Sequence, residues 1–384
     1  MDFYSEEQKA FQKTIRDFFE REVNPHIDEW EKARIFPAHK VFKRCGELGM
    51  LGVSYDPKYG GAGLDYSWTA AYVEAMSSSC LCNGIPMAIM VQTDMCTPAL
   101  HDFASEELKQ HWLVPAIRGE KVGAIGVSEP GAGSDVFSIQ TNARRDGDFY
   151  VVNGRKTFIT NGTQADFITT LVKTSAEHGH RGFSLLVVPT DTPGFGVANK
   201  LEKLGNHSSD TAELVFEDVR VPVSNRIGDE GVGFIYQMRQ FQKERMVASL
   251  GSVAAAQRTL DMTVQYTKDR KVFGGPLINK QHVHFKLAEL QTEIEMVRQL
   301  NYHCVRMIVA GEDSTRETSM AKLAAGRMVR QVADWCVQFH GGYGYMDEYY
   351  VSRYWRDSRL LSIGGGADEV MLQIIAKLEG YGNI

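Results

Sequence analysis

One stretch without proline limits the fold of this sequence more than any other feature. Residues 234–267 read FIYQMRQFQKERMVASLGSVAAAQRTLDMTVQYT, and proline, which breaks helix interiors, is absent throughout. Residues 281–311 and 316–342 are two further long segments of helical pattern. Helices of this length bury their apolar faces by packing side by side. The sequence therefore predicts an antiparallel bundle of long helices over residues 233–384.

The residues before this bundle divide into a helical part and a β-rich part. Residues 5–8 (SEEQ) form a capping box that starts a helix with one apolar face. From residue 123 the chain changes to short β-rich runs bounded by Gly, Pro or Asp, typical of a small barrel or sandwich. Asn153-Gly154 is a hairpin signal within residues 148–162. We predict an α+β, mainly α protein with domains over residues 1–122, 123–232 and 233–384.

Charge and composition exclude several classes of function. Lys plus Arg number 42 and Asp plus Glu 48, a net charge of −6 without a long basic run, which argues against nucleic-acid binding. The longest apolar run, residues 84–91, is too short to span a membrane, and the acidic start shows no signal or transit peptide. Six cysteines form no CxxC pair, so we expect reduced thiols in a cytosol-like compartment and predict no metal site.

Residues 125–135 (IGVSEPGAGSD) are a candidate anion-binding turn. Gly131 and Gly133 leave backbone N–H groups uncovered, and Ser134 adds a hydroxyl. The dinucleotide fingerprint is not matched, because Val136 stands at the position of its third glycine. A polar linker is the alternative interpretation of this segment.

Several segments together resemble the acyl-CoA dehydrogenase family in order and spacing across essentially the whole chain. The two signature segments are GVSEPGAGSDVFS at 126–138 and QFHGGYGYMDEYYVSRYWRD at 338–357. Further similar segments are FITNG at 158–162, LGNHSSDTAELVFEDVRVP at 204–222 and DRKVFGGPL at 269–277. The resemblance implies an N-terminal helical domain, a middle β-barrel domain and a C-terminal four-helix bundle. It also implies bound FAD, enclosed by the middle domain and the bundle.

The resemblance also implies which residues contact FAD. Those implied to line the flavin are Ile125, Val127, Ser128, Gly133, Ser134, Phe158, Ile159 and Thr160. A second set is implied to contact the cofactor as well. Arg270, Phe273 and Gln281 match positions that touch it across a subunit contact, and Gln338, Gly341 and Gly342 match another cofactor segment. Ala367, Asp368 and Glu369 match positions that approach the cofactor. Two residues depart from the common pattern: Phe158 stands where many members have Trp but can still stack on a ring face, and His207 replaces a frequent Arg and receives no catalytic role.

The catalytic base is predicted on a bundle helix. Many family members carry a Glu in a YEGT-like segment, but the matching residues here are Gly364 to Ala367, which places Gly365 at the position of the base. A minority, resembling isovaleryl- and long-chain acyl-CoA dehydrogenases, place it where this chain has Glu244. Glu244 also falls on an apolar helix stripe, and desolvation there would make it a better base. The alternative is a Glu244 that pairs with Lys243 or Arg245, or faces water.

The same resemblance suggests substrate contacts. Backbone N–H of Gly365 would donate to the thioester oxygen, and Gly364 would open space for a branched chain. The run IGGGADEVML is similar to that of citronellyl-CoA dehydrogenases, so we expect a branched or long acyl chain. The predicted substrate-binding residues are Ser134, Gln242, Arg245, Gly364 and Gly366.

We expect α,β-dehydrogenation of an acyl-CoA, with electrons passing to electron-transfer flavoprotein. The expected assembly is a homotetramer in the bacterial cytoplasm, with the mitochondrial matrix as the alternative location. Two rival functions stay open. The first is an acyl-CoA oxidase that uses O2, although the chain lacks the C-terminal extension usual in such oxidases. The second is a non-catalytic flavoprotein that binds acyl-CoA.

Overall fold

The N-terminal part of the chain is helical. The computed structural model describes residues 3–175 and 180–382. The capping box is confirmed, since the Ser5 hydroxyl accepts from the Gln8 N–H and the Gln8 side chain accepts from the Ser5 N–H. The helices of this part are α1 Glu6–Phe18, α2 Ile27–Ala33, α3 Ala38–Glu47, α4 Tyr66–Ser79, α5 Gly84–Met90, α6 Pro98–Phe103, α7 Glu106–Leu108 and α8 Val114–Ile117. A π-helical turn, Val91–Cys96, joins α5 to α6.

The middle part is one curled sheet. Its strands are β1 Gly123–Gly126, β2 Asn142–Asp146, β3 Phe149–Thr160, β4 Phe167–Lys173, β5 Phe183–Pro189, β6 Phe195–Lys200, β7 Thr211–Pro222 and β8 Arg226–Ile227. The order is β6-β7-β3-β2-β4-β5-β8, and β1 pairs with β4 in parallel. Strands β5 and β7 are not neighbours in this order, yet their side chains share one core. The sheet therefore curls around a shared interior, as the prediction of a small barrel or sandwich requires.

The predicted hairpin at Asn153-Gly154 is wrong. Strand β3 runs through both residues without turning, and the turn between β2 and β3 lies at residues 147–148. Gly154 has φ 147°, and a Cβ there would lie 2.4 Å from the Thr141 hydroxyl oxygen. Glycine is needed at this position because two backbone segments approach closely at a bulge. Bulges and close backbone approaches are common reasons for a glycine within a strand.

The C-terminal part is the predicted helical bundle. Its elements are α9 Gly233–Asp269, the short hairpin β9 Lys271–Val272 and β10 Gly275–Pro276, α10 Gln281–Val309, α11 Thr315–His340, α12 Tyr350–Ser358 and α13 Asp368–Leu378. Helix α11 packs against α9, α10, α12 and α13. These bounds agree with the proline-free segments, which confirms the mainly helical fold class.

Helix α9 connects all three parts. Its residues Met246, Val247 and Leu250 belong to the core of the N-terminal helices, and Phe241 packs at the core that joins α6 to the sheet. The segment of α9 around residues 241–250 is therefore enclosed on several sides. None of the helices within the described ranges is long and apolar enough to cross a membrane.

Candidate functional site

Glu244 is a buried carboxyl held by two amides. Its side chain lies on α9 and is 5% exposed. Oε1 accepts hydrogen bonds from Gln240 Nε2 at 3.1 Å and from Gln237 Nε2 at 3.3 Å. No ion pair within 4.0 Å joins Glu244 to Lys243 or Arg245, both of which the structure describes, so the alternative interpretation as a paired surface residue is not supported. Gln237 and Gln240 were missed at the sequence level, although their spacing places them on the same helix face.

The environment of Glu244 favours the protonated form at neutral pH. Burial raises the pKa of Glu244 to about 8, and the negative charge of Asp94 acts in the same direction. The amides of Gln240 and Gln237 and the charge of Arg245 oppose this rise. A carboxyl with a pKa near the working pH can both accept and release a proton, which is the property of a general base.

The glycine turn at 364–366 lies against the same part of α9. Gly365 and Gly366 have φ of 63° and 95°, and a Cβ on Gly366 would lie 3.7 Å from Arg245 Nε and 2.7 Å from Met371 Cε. Lys322, on α11, donates a hydrogen bond to the Gly366 carbonyl and is fully buried. The turn offers backbone N–H groups and no carboxylate beside Glu244. Lys322 is a further residue of this site that the sequence did not reveal.

Two side-chain atoms on the same segment of α9 as Glu244 are buried without a partner. Arg245 Nε and Gln242 Oε1 make no hydrogen bond in the described chain. Buried polar groups are almost always paired, so unpaired ones next to a candidate site indicate a missing ligand. Both residues were predicted to contact substrate.

The loop after β1 is built around a buried ion pair. Lys156 on β3 is 0% exposed, and its Nζ donates to Glu129 Oε1 at 2.9 Å and to the Val127 carbonyl at 3.0 Å. Glu129 also accepts from the backbone N–H groups of Gln140 and Thr141. Burial lowers the pKa of Lys156 to about 8, while Glu129 acts in the opposite direction. The pair therefore fixes both ends of residues 127–141.

Phe158 is an exposed aromatic residue in an unfavourable backbone conformation. It has φ 62° within the irregular end of β3, and its side chain is 72% exposed. The Thr157 N–H donates to the Ser128 carbonyl at 2.9 Å, which places Phe158 next to the loop after β1. A left-handed backbone conformation at Phe158 costs free energy, and the exposed ring makes little packing contact that would offset this cost. Such strain indicates a ring positioned for a ligand.

The structure brings one set of predicted residues together. Ile125 and Val127 pack in the same core as Phe241, one turn before Glu244. This core therefore joins the loop after β1 to the segment of α9 that carries Glu244. The side chain of Ile159 points into the sheet core instead, so that only its backbone is left to face a ligand.

The second set of predicted cofactor residues lies at the opposite end of the bundle. Arg270 and Phe273 follow α9, Gln281 begins α10, and Gln338 to Gly342 end α11. Arg270 lies over the Tyr343 ring at 6.0 Å, and Phe273 is 97% exposed at φ 49°. Helix geometry separates Glu244 from Arg270 by about 39 Å along α9. Within one chain these residues do not share a site with Glu244.

Three remaining residues have clear structural partners or positions. Asp368 Oδ2 accepts from Arg330 on α11 at 3.1 Å, and its Oδ1 is buried without a partner. Glu369 is exposed in the first turn of α13. His207 Nε2 lies 3.0 Å from the Lys203 carbonyl, a local contact that fits the absence of a catalytic role.

Fold and site together place a buried carboxyl on the bundle helix that contacts both the N-terminal helices and the sheet domain. Comparisons with known families specify the class. The acyl-CoA dehydrogenase N-terminal, middle and C-terminal domain models match residues 5–120, 124–219 and 231–379. The chain belongs to the acyl-CoA dehydrogenase family.

Similar proteins include enzymes named for different chain lengths. The mitochondrial long-chain specific acyl-CoA dehydrogenase of Sus scrofa is 37% identical, covering 97% of this chain and 86% of its own. The short-chain specific acyl-CoA dehydrogenase of Clostridium acetobutylicum is 36% identical, covering 98% and 99%. The crystal structure of acyl-CoA dehydrogenase from Geobacillus kaustophilus is 42% identical with TM-score 0.93, covering 98% of both chains.

The residues of this site fit the cofactor of the family. Acyl-CoA dehydrogenases are FAD-dependent, and a solved FAD complex, that of PigA, is 26% identical with TM-score 0.95, covering 99% of both chains. The exposed ring of Phe158 offers a stacking surface for a flavin. A Cβ on Gly131 or on Gly133 would meet nothing within 4 Å, so the backbone of this loop is open to a ligand.

Replacing Phe158 by Gly is expected to weaken FAD binding about tenfold without destabilising the FAD-free chain. The variant loses the stacking ring, but glycine adopts φ 62° without strain. Titration with FAD by fluorescence quenching measures the affinity, and thermal unfolding of the FAD-free protein measures stability. Unchanged affinity would remove Phe158 from the cofactor site.

Proposed function

We propose that this chain catalyses α,β-dehydrogenation of an acyl-CoA thioester, with Glu244 as the base. The observation that carries the proposal is a buried carboxyl, held by two amides, on the segment of α9 whose Arg245 lies against a glycine turn. In the proposed reaction Glu244 accepts the proton from the α carbon, and the hydrogen on the β carbon leaves as a hydride. When bound, FAD accepts that hydride.

The residues around Glu244 have complementary roles in this proposal. Gln237 and Gln240 hold the carboxyl through Oε1, which leaves Oε2 to receive the proton. The Gly365 N–H donates to the thioester oxygen and stabilises the negative charge that develops there. Lys322 fixes the turn through the Gly366 carbonyl. Arg245 and Gln242 bind the CoA part of the substrate through their unpaired atoms.

The finer assignments are also proposals. We propose one role for each predicted domain. The domain over residues 1–122 supplies the helical wall, residues 123–232 supply the flavin-facing sheet, and residues 233–384 form the bundle that carries the base. The FAD contacts are the set around β1 and β3, together with Ala367, Asp368 and Glu369. We propose that the second set of predicted cofactor residues reaches the cofactor of a second copy in a homotetramer. This set consists of Arg270, Phe273, Gln281, Gln338, Gly341 and Gly342. The separation of about 39 Å from Glu244 supports this arrangement.

The proposed substrate is a branched, citronellyl-like, or long acyl chain, and the proposed acceptor is electron-transfer flavoprotein. A Cβ on Gly364 would lie 3.4 Å from Leu360, so a larger side chain there would narrow the space beside the turn. We propose the bacterial cytoplasm as the location, with the mitochondrial matrix as the alternative. Six buried, unpaired cysteines are compatible with either reducing compartment.

Anaerobic addition of acyl-CoA thioesters tests the function. The proposal requires that the yellow absorbance of the holoenzyme bleaches and that enoyl-CoA forms in equal amount. An oxidase would release peroxide in air without a protein acceptor, and a binding module would not bleach. Strong preference for butyryl-CoA over branched and long chains would contradict the substrate proposal while leaving the reaction intact.

The rate of bleaching is expected to rise with pH and to reach half its maximum near pH 8. Glu244 must be deprotonated to act, and burial raises its pKa to about 8, so the active fraction grows as pH increases through that value. Stopped-flow mixing with limiting acyl-CoA between pH 6 and 9.5 measures this profile. A rate that falls with pH across this range would be incompatible with Glu244 as the base.

A further inference from the structure

A second buried carboxyl lies beside the proposed base. Asp94, in the turn Val91–Cys96, is 8% exposed. Its Oδ2 accepts hydrogen bonds from the Tyr72 hydroxyl and from the Thr93 hydroxyl, both at 2.5 Å. A hydrocarbon chain would gain nothing from a carboxyl in this position, and the desolvated charge would be costly. Binding of a hydrocarbon chain therefore does not explain the buried carboxyl of Asp94.

Several contacts join the Asp94 turn to the Glu244 segment of α9. Gln240 Nε2 donates both to the Met95 carbonyl and to Glu244 Oε1. The Tyr66 hydroxyl donates to the Lys243 carbonyl at 3.3 Å. The charge of Asp94 also raises the pKa values of Glu244 and of the buried Tyr66. Asp94 thus belongs to the N-terminal wall that encloses the base.

One oxygen of Asp94 has no partner in an otherwise hydrogen-bonded cluster. The neighbouring Tyr55 hydroxyl contacts the Thr93 carbonyl and the Thr97 hydroxyl, so it is not directed at the carboxyl. Across residues 3–175 and 180–382, no donor reaches Asp94 Oδ1. Lys243 is the cation whose charge acts on Asp94, and it makes no ion pair with it. A carboxylate has roughly four acceptor positions, so Oδ1 is free to accept from a ligand.

We propose that Asp94 recognises the substrate, accepting a hydrogen bond from a hydroxyl or ammonium group on its acyl chain. This inference rests on the proposed function and narrows its substrate class to acyl-CoA thioesters that carry such a donor. The α carbon gives its proton to Glu244 and the β carbon gives up a hydride, so the donor is bonded to the γ carbon or beyond. The donor does not react, and the enoyl product retains it.

Matched pairs of thioesters test the inference on the holoenzyme. Each pair exchanges a terminal methyl for a hydroxyl at equal chain length: 4-hydroxybutanoyl- with pentanoyl-CoA, 5-hydroxypentanoyl- with hexanoyl-CoA, and 6-hydroxyhexanoyl- with heptanoyl-CoA. We expect the wild type to favour the hydroxyl member of at least one pair by about tenfold or more in kcat/KM. Asp94→Leu is expected to reverse that preference, because an apolar side chain of similar size leaves the hydroxyl unpaired.

Asp94→Asn is the matched variant, since it retains an acceptor oxygen without the charge. It should keep most of the preference for the hydroxyl and lose any preference for an ammonium-bearing chain. If Asp94→Leu fails to fold or bind FAD, Asp94→Ala, which also lacks an acceptor oxygen, provides the same comparison. Folding is checked by flavin absorbance and thermal unfolding.

The outcomes separate this inference from the function on which it rests. Bleaching by all thioesters, with less than twofold discrimination in every pair by the wild type, overturns the role of Asp94 and leaves the dehydrogenase proposal standing. The same result is expected if Oδ1 only holds a water molecule. No bleaching by any thioester, including branched and long alkyl chains, overturns both.

Discussion

Glu244→Gln is expected to reduce the turnover of acyl-CoA at least about 10³-fold while leaving FAD bound. General bases contribute about 10² to 10⁴ in rate, and the glycine turn beside Glu244 has no carboxylate to replace it. The amide has nearly the same shape and still accepts from Gln237 and Gln240. Anaerobic single-turnover bleaching, measured with saturating substrate, gives the rate of the step.

Stability distinguishes this loss from misfolding. The pKa of Glu244 is raised in the folded protein to about 8 from an ordinary value of 4.5, so the folded state binds the proton more tightly than the unfolded state. Its contribution to stability is therefore complete below pH 4.5 and is lost as pH rises through 8. Glu244→Gln lacks this loss, and should unfold at an equal or higher temperature than the wild type at pH 9. Full activity in the variant would show that another group is the base.

Lys156→Met is expected to lower the free energy of unfolding by about 3–5 kcal/mol. The substitution leaves the carboxylate of Glu129 buried without its cation, and breaking one side of a buried ion pair has a cost of this size. Because Glu129 holds the N–H groups of Gln140 and Thr141, loosening of residues 127–141 should also weaken FAD binding. Urea unfolding followed by sheet and tryptophan signals measures the change.

Two further variants serve as controls for the stability change in Lys156→Met. Lys13→Met removes an exposed lysine from a surface ion pair with Asp17 and should change stability by less than about 0.5 kcal/mol. Adding Glu129→Gln to Lys156→Met removes the unpaired charge and should recover at least half of the lost stability. A Lys156→Met protein as stable as Lys13→Met would mean that the pair does not hold the loop.

Sequence patterns predicted the architecture well because they depend on local rules. Proline-free periodic segments predicted the bundle, and the Ser5–Gln8 pattern predicted the start of α1, both of which the structure confirms. The Asn153-Gly154 prediction failed because the same dipeptide serves either a tight turn or a close approach between strands. The close approach of Thr141, just before the paired strand β2, decides between them, and it depends on the register of the two strands.

Some residues of the candidate site were predicted from sequence motifs, and others are brought to it only by the fold. The motifs indicated Glu244 and the loop after β1. The two amides that hold Glu244 lie on the same helix, four and seven residues earlier, but other groups of the site come from distant elements. Lys322 reaches the glycine turn from α11, and Asp94 approaches Glu244 from a turn 150 positions earlier in the chain. No spacing within one segment encodes such contacts.

The sequence alone determined the three-part organisation, the family and the placement of a carboxyl on a bundle helix, because helix periodicity and family motifs are properties of contiguous residues. Tertiary structure decided which groups surround that carboxyl, and that Arg270, in the second set of predicted cofactor residues, lies about 39 Å from Glu244 along α9. The burial of Glu244 arises where α4, α9 and the turn Val91–Cys96 pack together, and packing between distant segments is a property of the folded chain.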